Sequence, residues 1–292
     1  MTRLEAHCPP GWALLDEFAQ RVDVAAAHLE QAGVTGAPLA LVLGSGLGDF
    51  VDRMDVQAAV RFAEIPGFHG TSVQGHDGRV VRARMGGRDV VVLQGRLHAY
   101  EGIAMDAVVL PVLVLRALGA ETVTRTNAAG GLDPSMRAGD VAILTDLVDL
   151  HLKDALRGLL VPRADGELQM RARRAGRLFD PRLARRLREL APGATHAGTY
   201  VSVWGPNYEP PAEIGMMRRI GGVAVGMSTG PEAVALHAFG AKVAGISLIT
   251  NVSVEAGGAI VTHDEVVAVG ADSRDLMEGL LGRAIETFSE PA

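Results

Sequence analysis

Short apolar runs that stop abruptly at glycine or small polar residues constrain this chain most. Leu39-Ala40-Leu41-Val42-Leu43 runs into Gly44-Ser45-Gly46-Leu47-Gly48, and Val90 to Leu93 runs into Gln94-Gly95-Arg96-Leu97-His98-Ala99-Tyr100-Glu101-Gly102. A brief continuous apolar run closed by glycine reads as a strand buried on both faces. Glu121 to Arg125 reads as a strand that ends in an Asn127-Ala128-Ala129-Gly130-Gly131 loop, and Val141 to Leu144 as another. Thr199 to Val203, Val223 to Val225 and Val243 to Leu248 complete the set.

Helices are predicted between these strands, over Asp106 to Leu118 (with Pro111 in the first turns), Pro181 to Leu190, Pro211 to Ile220, Pro231 to Phe239 and His263 to Phe288. Residues 1–36 read as a helical N-terminal segment, with Leu15, Phe18, Val22 and Ala25 at helical spacing. Residues 151–178 read as an exposed excursion, because Arg171 to Arg177 is basic and has no apolar stripe. Strands alternating with helices imply an α/β fold, a twisted mixed β-sheet flanked by helices. Neither an internal repeat nor a Pro/Ser-rich linker interrupts it, so residues 1–292 are expected to form a single domain.

Hydrophobic residues make up 48% of the 292, enough for a sizeable core and too many for a disordered chain. A net charge of −6 argues against a general nucleic-acid surface. The single cysteine, Cys8, cannot build a disulfide framework or a thiolate metal site. The N-terminus lacks a signal-peptide pattern, and the longest apolar run, Val108 to Leu115, is too short to span a bilayer. A cytoplasmic protein without membrane attachment is expected.

Ligands of such folds bind beyond the carboxyl ends of strands, where nearly all the glycine-rich and polar runs fall. The Gly44 to Gly48 run is not a dinucleotide fingerprint, a Walker loop or a nucleophile elbow. It fits an anion nest or a plain turn equally well. Arg96 and His98 stand two residues apart, so a continued strand points both to one side. A guanidinium fork matches a phosphate edge, which favours an anion over a surface ion pair and a core histidine. His76 after Gly75 is a weaker candidate for the same site. Glu209 can accept from a ring N–H, and Asn251 can donate and accept, a pair that suits a 6-oxopurine. Taken singly, Glu209 also reads as a helix N-terminal acid and Asn251 as a turn residue.

Taken in order, these runs resemble the purine nucleoside phosphorylase family, in its trimeric branch, from about residue 38 to 285. The strongest stretches are Gln94 to Gly102, Thr126 to Leu132 and Thr199 to Asn251. Val225-Gly226-Met227-Ser228-Thr229-Gly230-Pro231-Glu232 and Ser247 to Asn251 are close to the family signature. The resemblance implies a nucleoside phosphorylase-like domain, a homotrimer and no metal or organic cofactor, with inorganic phosphate as co-substrate. The implied reaction is reversible phosphorolysis of purine nucleosides to free base and (deoxy)ribose 1-phosphate, in purine salvage. The implied phosphate site is Ser45, His76, Arg96, His98, the Ala128 backbone and Ser228. The base site is Glu209 and Asn251, and the sugar site Tyr100, Tyr200, Met227 and His263. Asn251, Glu209 and His98 carry the implied catalytic roles.

The related methylthioadenosine phosphorylases usually carry aspartate where this chain has Asn251, and they lack the histidine that His263 matches. Both positions favour 6-oxopurine nucleosides such as inosine and guanosine. Methylthioadenosine phosphorylase-type activity and a non-catalytic nucleoside-binding protein are the alternatives. Two departures stand out: the family's Phe-Glu-Thr run reads Tyr208-Glu209-Pro210, and residues 159–178 are arginine-rich where relatives lend an aromatic to a neighbour's sugar pocket.

Overall fold

The structure is a computed structural model that describes residues 2–9, 11–44, 46–70, 78–151, 156, 159–162, 177–191, 195–252, 269 and 272–288. The first half of the chain contributes β1 (Trp12–Leu14), α1 (Asp16–Gln31), β2 (Leu39–Leu43), β3 (Asp55–Arg61), β4 (Arg79–Met85), β5 (Arg88–Gln94), α2 (Met105–Ala117), β6 (Thr122–Gly131) and β7 (Val141–Asp149). The second half contributes β8 (Leu160–Pro162), α3 (Pro181–Leu190), β9 (Thr195–Ser202), α4 (Pro211–Arg219), β10 (Gly222–Gly226), α5 (Thr229–Ala238), β11 (Lys242–Val252) and α6 (Arg274–Phe288).

Nine strands form one mixed sheet in the order β10-β9-β7-β11-β6-β2-β5-β4-β3. β5, β2, β6 and β11 run parallel to one another, whereas β7 is antiparallel to β11. The free edge of β10 returns to β6, with Ala224 opposite Gly131 and Val225 opposite Gly130. Strands β6, β11, β7, β9 and β10 therefore close on themselves. The closure falls on two glycines, and a Cβ at Gly131 would meet Ile249 and Met136 at 2.9–3.0 Å.

β2 shows why the strands read as unbroken apolar runs. Ala40 and Val42 face one core cluster, with α1, α2 and α5, while Leu39, Leu41 and Leu43 face the other, with α3 and α6. Both faces exclude water, so no polar alternation is left to see. α2 is buried over Ala107 to Arg116, hence its lack of a polar face. Pro111 lies inside that helix, beyond its first turn. Among the described residues no helix is long and apolar enough to cross a membrane.

Several boundaries differ from the sequence expectation. The Asn127 to Gly131 run is no loop: it stays in β6, paired with β11 on one side and partly with β10 on the other. Small side chains fit that crowded ladder, and their turn-like composition disguises it. Likewise β11 continues through Asn251, and β7 through Asp149. β3 and β4 escape the apolar-run criterion because exposed and charged residues interrupt them. The β4–β5 hairpin turns at Gly86-Gly87, both at positive φ (57° and 75°), a signal present in the sequence. In the N-terminal segment α1 begins only at Asp16; Leu15 is exposed, and Trp12–Leu14 is a strand paired with β8. That pairing corrects the reading of residues 151–178 as wholly exposed, since β8 takes part in a sheet and His151 and Leu159 are buried. Apolar Leu159 and Leu160 find cover there that the flanking charge conceals. Residues 171–176 of the basic run and residues 263–268 of the expected last helix lie outside the described residues.

Candidate active site

One cavity collects side chains from five strand ends. Gly44 follows β2; Arg96, His98 and Tyr100 follow β5; Asn127 to Gly130 belong to β6. Val225 to Ser228 end β10, Thr250 and Asn251 lie in β11, and Tyr208 and Glu209 come from the loop before α4. The predicted residues Arg96, His98, Tyr100, Ala128, Glu209, Met227, Ser228 and Asn251 thus share one pocket. Ser45, His76 and His263 lie outside the described residues.

Tyr200 does not line that cavity. It is fully buried in β9, and its hydroxyl packs directly behind Gly226, where any Cβ would collide with it. A side chain sealed behind the wall cannot meet a ligand, so the sugar-site assignment of Tyr200 is corrected. Tyr208, exposed at the rim, reaches the pocket alongside Tyr100. The signal was present in the Tyr208-Glu209 run itself, where the family pattern carries an aromatic beside the glutamate.

The half of the cavity expected to take an anion is built around Arg96. Its Nη1 donates to Ser228 Oγ at 2.8 Å, and its Nη2 donates to the Thr126 carbonyl. Burial lowers its pKa to about 10, so it remains a cation at neutral pH. Ser228 is the N-cap residue of α5, yet its hydroxyl makes no capping bond. That hydroxyl accepts from Arg96 instead. Gly44 N donates to Thr126 Oγ1 at 2.9 Å. A Cβ on Gly44 would stand 2.8 Å from Asn127 Cα and the Thr126 carbonyl oxygen, so only glycine lets these strand ends meet.

His98 stands beside Arg96 as a neutral imidazole. Its pKa is pushed down to about 4, first by burial and then by the Arg96 charge, against the opposing pull of Glu101. Its Nδ1 lies 3.0 Å from Glu101 Oε1, and the same oxygen accepts from the His98 backbone N–H at 2.9 Å. That contact fixes the Nδ1–H tautomer and leaves Nε2 as an acceptor. Tyr100 stacks on the ring with centroids 4.7 Å apart. Sequence reasoning gave Glu101 no role, although it stands in a quoted run.

In the half expected to take the base, a register shift sits between Ile249 and Asn251: Ile249 pairs with Ala129 and Asn251 with Gly130, leaving Thr250 as the extra residue. Such a bulge re-aims the next side chain. The Thr250 hydroxyl donates to Asn251 Oδ1 at 3.2 Å. With its oxygen so engaged, Asn251 presents its N–H₂ as the donor. Burial raises the pKa of Glu209, and the nearby Glu213 charge adds to the shift. Gly205, at φ +74°, lies where any side chain would run into Met227 and Tyr100, so it lets those two sugar-side candidates converge.

The family model of the phosphorylase superfamily matches residues 38–286. The chain is 38% identical over 249 residues to purine nucleoside phosphorylase 1 of Geobacillus stearothermophilus, covering 84% of this chain and 89% of that protein. It is 37% identical over 274 residues to purine nucleoside phosphorylase of Mycobacterium tuberculosis, covering 94% and 97%. Among solved structures, Schistosoma mansoni purine nucleoside phosphorylase in complex with inosine superposes with a TM-score of 0.84 at 33% identity, covering 93% of this chain and 98% of that one. The Schistosoma enzyme in complex with hypoxanthine gives the same TM-score at 34% identity and the same coverage. A shared fold and a match over most of the length leave no ambiguity of kinship: the chain belongs to the phosphorylase superfamily, among relatives that are purine nucleoside phosphorylases.

Proposed function

We propose that this protein is a purine nucleoside phosphorylase, a pentosyltransferase that reversibly cleaves 6-oxopurine nucleosides with inorganic phosphate. The observation that carries the reading is a single cavity holding a buried guanidinium, Arg96, together with a carboxyl and an amide, Glu209 and Asn251. The reaction breaks the bond from C1′ to the purine and forms one from C1′ to a phosphate oxygen. Positive charge grows on the sugar as electrons move onto the base. Phosphate held by Arg96, Ser228 and the Ala128 backbone stabilises that cation and then captures it. Neutral His98 accepts the P–OH hydrogen of monoprotonated phosphate through Nε2, its tautomer held by Glu101. Asn251 donates to the purine N7 as negative charge gathers there, an interaction that strengthens toward the transition state. Glu209 accepts from the N1–H of a 6-oxopurine. Tyr100 and Met227 flank the sugar, and holding both reactants together removes most of the entropic barrier.

No metal or organic cofactor has a part in this scheme. The same reading extends to a homotrimer, a role in purine salvage and a cytoplasmic setting. Kinship supports the trimer, as do Trp204 and Tyr208, 49% and 54% exposed in the loop that supplies the pocket rim. Incubation with inosine, with and without phosphate, tests the reaction: hypoxanthine and ribose 1-phosphate are expected only with phosphate. Cleavage to free ribose without it would overturn the reading in favour of a hydrolase. Sizing in solution tests the trimer.

A further inference from the structure

Arg125 has no part in the reaction set out above, yet it is the largest fully buried side chain described. It stands on β6 one residue before Thr126, whose carbonyl receives Arg96. Its guanidinium pairs with Glu232, buried in the first turn of α5, and its Nη1 also donates to the Thr229 carbonyl. Asn127, two residues along the same face of β6, donates to Thr229 Oγ1 at 2.7 Å. β6 thereby grips both the carbonyl and the hydroxyl of Thr229, the residue that follows Ser228. The Arg96 charge reaches Arg125, so the two cations are close neighbours.

A pair of apolar side chains would join a helix to a sheet with no desolvation cost. An ion pair at this point does something more. Glu232 places a carboxylate in the first turn of a helix whose N-terminus faces the anion half of the cavity. Left alone, that charge would oppose a bound anion; Arg125 cancels it and fixes the turn. We propose that Arg125 is a positioning residue for phosphate: through Glu232 and the Thr229 carbonyl it holds the start of α5, and with it Ser228, against Arg96. The proposal rests on the assignment of the Arg96–Ser228 half as the phosphate site.

The test compares Arg125→Met, Arg125→Lys and the double variant Arg125→Met/Glu232→Met with the wild-type chain. Phosphate affinity is read by calorimetry, the KM values for phosphate and inosine from steady-state rates, and folding from thermal melts. Arg125→Met is expected to weaken phosphate about tenfold, on the scale of one lost charge-assisted hydrogen bond, with the inosine KM within about twofold of wild type. Arg125→Lys should recover part of the affinity, because it restores a cation opposite Glu232. The double variant removes both charges, so it should regain thermal stability lost in Arg125→Met and the part of the phosphate affinity lost to the bare carboxylate, while staying weaker than wild type because the hold on the Thr229 carbonyl is gone. Wild-type phosphate affinity in the folded double variant would overturn the proposal, and that variant decides the matter even if Arg125→Met fails to fold. A wild-type chain that binds phosphate without cleaving inosine would sink the enzymatic reading alone, since calorimetry still reports on Arg125.

Discussion

Asn251→Asp separates two effects that a single amide combines. Asn251 faces the cavity with its Oδ1 held by Thr250 at 3.2 Å, so the group it offers the base is an N–H donor. Aspartate keeps the shape, loses the donor and adds a negative charge. Loss of a donor aimed at developing charge costs about 3–4 kcal/mol of transition-state stabilisation, or roughly 100- to 1,000-fold in kcat. That loss falls on inosine and adenosine alike, because both purines depart from C1′ through N9 while the charge they gain is stabilised at N7. The exocyclic group distinguishes them. A carboxylate repels the O6 of inosine and accepts from the N6 amine of adenosine, and a charge-assisted hydrogen bond contributes about 1.5–3 kcal/mol. The inosine-to-adenosine ratio of kcat/KM should therefore fall by about 10- to 100-fold.

Asn251→Ala is the control. It removes the donor and adds no charge, so kcat should fall on both substrates with the ratio nearly unchanged. Chromatographic separation of base from nucleoside, at saturating phosphate, measures both quantities in one assay. An Asp variant whose ratio stays within twofold of wild type would show that Asn251 does not read the 6-position. An Ala variant with undiminished kcat would falsify the donor role itself.

Other outcomes follow from the same pocket. His98 is held at a pKa of about 4 in the folded chain against an ordinary value of 6.5, so between these pH values the unfolded chain binds a proton that the folded one refuses. Stability should fall as pH drops through that window, by about 3 kcal/mol when the drop is complete, and His98→Gln should lose this part of the slope in urea melts. Gly44→Ala should lower stability by about 1–3 kcal/mol and weaken phosphate binding, because the new methyl meets backbone at 2.8 Å; an unshifted melting temperature would contradict the close approach. Thr250→Val should lower kcat on inosine by up to about tenfold with little change in stability, since it frees the Asn251 amide to turn; unchanged kcat would remove Thr250 from the orientation of the base. The pKa of Glu209 is raised by burial, so the inosine KM should begin to climb as pH falls while an ordinary carboxylate would still be ionised; a KM that stays flat as the solution is acidified into the ordinary carboxylate range would detach Glu209 from the base. Dialysis against a chelator should leave phosphorolysis intact, and a loss restored by a divalent cation would refute the metal-free scheme.

Strands buried on both faces announced themselves: Leu39 to Leu43 and Val90 to Leu93 need no partner to be recognised, since exclusion of water from both sides leaves only apolar residues. The chemistry-bearing residues after them were legible for the same reason, because a charged residue directly beyond such a run has few places to point. What sequence could not convey was the state of backbone made of small residues. Asn127 to Gly131 carries turn-like composition but is held in a ladder between β11 and β10, a fact of tertiary closure. Tyr200 and Tyr208 show a second limit. Both are tyrosines near the pocket, but one has its hydroxyl sealed behind Gly226 and the other reaches the cavity from a loop. Side-chain direction along β9 decides this, and it depends on register with β7 and β10 rather than on local pattern.

The closure of β6 through β10 also explains how the two halves of the pocket keep their separation. Thr126 anchors Arg96 and the Gly44 turn, while Gly130, further along the same strand, is the register partner of Asn251. Extended backbone rises about 3.3 Å per residue, so these anchors stand about 13 Å apart along β6, a span suited to a phosphate facing a nucleoside end to end. β6 is flanked by β2 on one side and β11 on the other and cannot stretch independently of them. On the proposed assignment the anion and the leaving base are thus referred to one strand. Glu209 and Tyr208 come from a loop outside it. Preference among purines should accordingly respond to changes in that loop, while the distance over which C1′ must travel from base to phosphate is fixed by the sheet.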